Sequence, residues 1–216
     1  MTAPLQLPLG CDTYAIIRRC PSKVPAVLDT MSIIQNHKLN MARQLCSPNQ
    51  SARSDDVEID LLVIHCISLP PGEYGTGCID ELFDNRLDAK SHPFFKEIEG
   101  LQVSAHLLID REGQITQYVP LNRKAWHAGE SSFCGKKNCN DYSIGIELEG
   151  TDSTPFSEEQ YNSLIVVTKL LLGEYPCLNS DRIVGHSDIS PSRKTDPGAC
   201  FNWLKYKAGL DDLQTA

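Results

Sequence analysis

Asp60-Leu61-Leu62-Val63-Ile64-His65 is the stretch that most narrows what this chain can fold into. A short unbroken apolar run has no face it can leave in water, so it predicts a strand covered on both sides. Later segments supply the rest of a layered fold. Val103 to Asp110 and Gln114 to Pro120 flank Arg111-Glu112-Gly113 and predict a β-hairpin, while Ser143 to Glu149 (SIGIELE) alternates as a half-buried strand. Ser157-Glu158-Glu159-Gln160 has the form of a capping box. Tyr161, Leu164, Ile165, Thr168, Leu171 and Leu172 follow it at helical spacing, which predicts a helix lying on the sheet. A short helix is expected at Cys78 to Phe83, a last strand at Ile183-Val184-Gly185, and a C-terminal helix at Phe201 to Lys207. The expectation is an α/β fold with at least four strands and helices packed on them.

Residues 1–56 have a different texture. Pro, Ser and charges punctuate CPSKVPAVLDT and CSPNQSARSDD around one expected helix at Met31 to Leu45. The segment reads as an N-terminal extension to a catalytic domain over 57–210, with 211–216 as a tail. The chain has 216 residues, 41% of them hydrophobic and 22% charged, which suits one soluble core. A formal charge of −8 argues against nucleic acid as a partner. Neither a signal-like leader nor a membrane-spanning run is visible, so the expected location is the cytoplasm, with no membrane partner. Nine cysteines at irregular spacing predict free thiols in a reducing compartment, and none has zinc-finger spacing.

Three residues with chemical potential share one kind of address. His65 ends a strand, His186 follows a strand and a glycine, and Asp196 lies in the Pro- and Gly-rich loop of GHSDISPSRKTDPG, two residues after Lys194. Two imidazoles and one carboxylate are a ligand set that zinc accepts while keeping a fourth position for water, and other divalent metals accept it too. The plainer reading is a hydrogen-bonded strand-end histidine and salt-bridged loop charges. Strand alternation puts Glu147 and Glu149 on one face, either as a general base near a metal or as an exposed strand face.

HCISLPPGEYG, HPFF, SAH, WHAG, CNDYSIGIELEGTD and GHSDISPSRKTDPG, in that order, resemble the type 2 N-acetylmuramoyl-L-alanine amidases, and among them the cytosolic branch acting on 1,6-anhydromuropeptides. The resemblance runs from about Asp60 to about Lys207. It implies a peptidoglycan-recognition-like fold, with a mixed central sheet flanked by helices and a groove holding one Zn2+ per chain. It implies His65, His186 and Asp196 as ligands, Glu147 as general base and Lys194 as transition-state stabiliser. The implied reaction cleaves the bond between (1,6-anhydro-)N-acetylmuramic acid and L-alanine, in cell-wall recycling and in control of muropeptides that induce β-lactamase. Two other readings share the fold: a muropeptide sensor without activity, and a lytic cell-wall amidase. Trp126 and His127 are expected in the groove wall, with Asn140 and Tyr142 as weaker substrate contacts, while His106 and His92 are expected to be scaffold. The resemblance also implies arginines for stem-peptide carboxylates where this chain has Gln102 and Asn138, with Lys136 and Lys137 as substitutes by charge. A monomer is expected.

Overall fold

The computed structural model describes residues 33–211, which open on a hairpin. Strands β1 (Ile34–Gln35) and β2 (Lys38–Leu39) pair antiparallel across Asn36 and His37, whose φ values are 50° and 62°. Two left-handed residues between two paired ones make the turn that suits the twist of a hairpin. The helix expected at Met31 to Leu45 is therefore absent over Ile33 to Leu45, while Met31 and Ser32 lie outside the described residues. β3 (Arg43–Gln44) and β4 (Gln50–Ala52) follow. Although this stretch reads as an extension, β3 pairs with a strand of the main sheet, and Leu39 is fully buried in the core.

The body comprises β5 (Leu61–Ile67), α1 (Cys78–Phe83), β6 (Leu107–Ile109), β7 (Ile115–Gln117), β8 (Arg123–Ala125), β9 (Ser132–Phe133) and β10 (Lys136–Lys137). It continues with β11 (Ser143–Glu149), α2 (Glu158–Glu174), β12 (Ile183–Gly185), α3 (His186–Ile189) and α4 (Trp203–Asp211). Six strands form the central sheet in the order β12-β5-β11-β6-β7-β3. All neighbours are parallel except β6 and β7, which form the expected hairpin, so the sheet is mixed.

One face of the sheet sends Leu62, Ile64, Ile144, Ile146 and Leu148 into a core with Tyr161, Leu164, Val167 and Leu171 of α2 and Tyr206 of α4. The alternate residues of β5 and β11 point the other way, where α3, α1 and the long loops lie. β11 is thus buried along its whole length instead of half-buried, because its second face meets this loop layer and not solvent. The capping box at α2 forms as expected. Ser157 Oγ accepts from the Gln160 N–H at 3.1 Å, and Gln160 Oε1 accepts from the Ser157 N–H at 3.1 Å. Ser157→Ala should cost about 1 kcal/mol in denaturant unfolding, and an unchanged midpoint would show that the cap contributes nothing. Cys66, Cys78, Cys139 and Cys200 are free thiols, whereas Cys177 is disulfide-bonded, which irregular spacing cannot signal.

Candidate metal centre

β5 and β11 run in parallel register with His65 opposite Glu147 and Val63 opposite Gly145, so both chemical side chains leave the same face. β12 pairs with the other side of β5, and α3 begins directly after it, which brings His186 to the same end of the sheet. The Asp196 loop folds back onto α3, where the Ser187 N–H donates to the Asp196 carbonyl at 3.0 Å. Behind Asp196, Gly198 has φ 83°, and a Cβ there would stand 2.3 Å from Asp152 atoms. Only glycine fits this return.

The three donor atoms form a nearly equilateral triangle. His65 Nδ1 is 3.0 Å from His186 Nδ1 and 3.0 Å from Asp196 Oδ2, and His186 Nδ1 is 3.1 Å from the same oxygen. A tetrahedral site with metal–ligand distances of about 2.0–2.2 Å has ligand–ligand edges of about 3.3–3.6 Å, so the triangle needs to open only slightly to hold zinc. His186 Nε2 donates to the Ala128 carbonyl at 3.1 Å, which leaves its Nδ1 as a lone pair aimed into the triangle. The donor set and its orientation fit a zinc ion.

Burial pushes the His65 imidazole down to about 4, against the pull of Asp196, so it is neutral as a ligand should be. Burial alone would raise the Asp196 carboxyl, but its contacts with His186 and His65 outweigh that and hold it below the carboxylate range. Glu147 differs from Glu149, its companion on the same face. Glu149 accepts the Gly75 N–H at 2.6 Å and the Arg111 N–H at 3.4 Å, which ties down the SLPPGEYG loop. Glu147 Oε2 is buried without a hydrogen-bond partner, and burial, with Asp196 nearby, raises the carboxyl well above its usual range. Lys194 acts in the opposite direction on it.

A cavity of about 320 Å³ adjoins these groups. Glu147, His186, Lys194 and Asp196 form its polar end, and Leu69, Phe83, Phe94, Ile98, Leu101 and Trp126 form an apolar wall. His127 also lines it. The other expected substrate contacts lie elsewhere. Asn140 Oδ1 accepts the backbone N–H groups of His127 and Ala128, at 3.1 and 2.8 Å. Tyr142 is fully buried and donates to the Lys136 carbonyl at 2.7 Å. Gln102 lines a separate pocket of about 100 Å³, and Asn138 a third of about 380 Å³ beside Lys137. The Lys136 ammonium sits 3.9 Å from the Tyr142 ring. His106 and His92 are scaffold. His106 Nδ1 accepts the Gly145 N–H at 3.0 Å, and His92 Nδ1 accepts the Phe94 N–H at 3.1 Å.

Sequence reasoning missed Arg53. Its guanidinium donates to the carbonyls of Asn140, Asp141 and Ser143 at 2.9, 2.7 and 2.6 Å, clamping the entry to β11, and burial lowers its pKa to about 10.

Residues 55–199 match the family model described as N-acetylmuramoyl-L-alanine amidase. The chain is 51% identical over 178 residues to a 1,6-anhydro-N-acetylmuramyl-L-alanine amidase, AmpD, of Enterobacter cloacae, covering 82% of this chain and 95% of the relative. It is likewise 51% identical over 166 residues to AmpD of Escherichia coli strain K12, covering 77% and 90%. A crystal structure of a selenomethionine AmpD derivative superposes with a TM-score of 0.80 at 48% identity, over 82% of this chain and 98% of that one. An E. coli AmiD, solved with anhydro-N-acetylmuramic acid-L-Ala-D-γ-Glu-L-Lys, gives a TM-score of 0.53 at 31% identity over 73% and 60%. By fold, by the extent of its matched sequence and by the enzymes it aligns with, this chain belongs to the N-acetylmuramoyl-L-alanine amidase family.

Proposed function

We propose that this amidase hydrolyses the amide between the lactyl group of 1,6-anhydro-N-acetylmuramic acid and L-alanine in muropeptides, with one Zn2+ held by His65, His186 and Asp196. The observation that carries this reading is a donor triangle of His65, His186 and Asp196 whose last two members line one cavity with Lys194 and with Glu147, which has a buried, unpartnered oxygen. When bound, zinc supplies a Lewis acid at the reacting carbonyl and lowers the pKa of water.

The protein's own groups do the rest. Glu147 takes a proton from the water that attacks the lactyl carbonyl, and it delivers that proton to the leaving nitrogen as the C–N bond breaks. Its raised affinity for a proton suits the second half of that exchange. Lys194 offers an ammonium to the negative charge that builds on the carbonyl oxygen. The apolar wall with Trp126 receives the sugar and lactyl faces and keeps bulk water from the polar end. Roles in cell-wall recycling, a cytoplasmic location and a monomeric state complete the proposal. Among the described residues no helix is long and apolar enough to cross a membrane.

The test is mass spectrometry of an anhydromuramyl tripeptide incubated with the protein, with and without a chelator. Release of free peptide that a chelator abolishes and zinc restores is the expected result. Binding without cleavage would establish a sensor instead, and release from intact sacculi a lytic enzyme.

A further inference from the structure

The hydrogen bonds behind His65 run in one direction only. Ser143 Oγ lies 2.6 Å from the Cys139 carbonyl oxygen, which can only accept, so the single hydroxyl proton points there. The 3.2 Å contact between Ser143 Oγ and His127 Nε2 is then a donation from the ring. A neutral imidazole that carries its proton on Nε2 has Nδ1 as an acceptor. His127 Nδ1 is 2.9 Å from His65 Nε2, so His65 donates from Nε2 and turns the Nδ1 lone pair toward His186 and Asp196.

The His127 ring is also held in place mechanically. Its backbone N–H is bound by Asn140, and the ring lies against β11 so closely that a Cβ on Gly145 would stand 2.5 Å from His127 Cγ and Nδ1. This contact accounts for a glycine in the middle of a fully buried strand, where glycine otherwise weakens pairing.

We propose that His127 is a positioning residue: through Ser143 it transmits the direction of the Cys139 carbonyl to His65 and fixes the tautomer that presents Nδ1 to the metal. Without this relay, His65 is free to place its proton on Nδ1, where it bonds Asp196 and occupies two ligands with each other. This assignment moves His127 from substrate contact to metal support, and it rests on the zinc reading of the triad.

Two readouts on the full chain test it: imidazole 15N NMR of the zinc-free protein for the His65 tautomer, and zinc titration against a chromophoric chelator. The wild type is expected to show His65 protonated on Nε2. His127→Leu should lose that preference and bind zinc about 10–100-fold more weakly, while His127→Asn, whose Oδ1 replaces the Nδ1 acceptor, should restore affinity to within a few-fold. Gly145→Ala, which deletes no hydrogen-bonding group, should weaken zinc binding by displacing the ring. If His127→Leu does not fold, Ser143→Ala asks the same question and should weaken binding likewise.

A wild-type His65 protonated on Nδ1 overturns the relay, as does equal zinc affinity in wild type and His127→Leu. A wild type with the Nε2 tautomer that binds no zinc supports the relay and overturns the metal reading.

Discussion

Glu147→Gln is expected to lower kcat by about 10²–10⁴-fold, the usual worth of a positioned general base, while zinc content stays at the wild-type level. The separation follows from geometry. Glu147 lies beside the donor triangle but contributes no atom to it, since the close contacts are among His65, His186 and Asp196. Glutamine keeps the shape and removes the proton acceptor. About 1.36 kcal/mol accompanies each tenfold, so the loss is about 3–5 kcal/mol of transition-state stabilisation. Folding stability should change little, because glutamine keeps a buried polar group of the same shape where the carboxyl stood. Steady-state kinetics, zinc analysis and urea unfolding of one preparation check all three. Retained turnover would remove Glu147 from the mechanism, and lost zinc would make it a ligand.

Asp196→Ala should lose zinc and turnover together. Asp196 Oδ2 closes two of the triangle's three edges and brings the anionic charge that a divalent ion needs, so its removal leaves two neutral imidazoles. Dialysed variant is expected to retain almost no metal, and turnover should fall at least about a thousandfold, since a Lewis acid contributes several kcal/mol. Adding His186→Ala should cost little more, because residues that act as one unit are not additive. A variant that keeps both metal and activity would mean that the ligand set is drawn wrongly.

The candidate ligands were legible as addresses because each stands beside a local signal, although each is weak alone and the resemblance is what joins them as a set. His65 ends an apolar run, His186 follows a short apolar strand, and Asp196 stands among turn residues. α2 was legible for the same reason, through its capping box and its period. What stayed hidden depends on contacts between distant segments. Gly145 reads as an ordinary strand residue until His127 lies against it, and Arg53 reads as part of an extension until its guanidinium closes on three carbonyls near β11. Asn140 and Tyr142 show the converse. They stand close in sequence to the site strand, yet their side chains turn to backbone groups, and neither lines the cavity. The helix expected at Met31 to Leu45 failed on Asn36 and His37, residues that tolerate the left-handed turn a hairpin requires.

The six-stranded sheet ends on β12 at one side and β3 at the other, three and two residues long. A foreign strand docking on either margin meets only the few outward backbone groups that two or three residues can offer before the chain turns away. Among the described residues the sheet therefore offers a poor template for intermolecular strand addition, and its long inner strands β5 and β11 are shielded from it on both flanks. Brevity at the borders works against edge-to-edge association, and lengthening either border strand by design would enlarge the template for it.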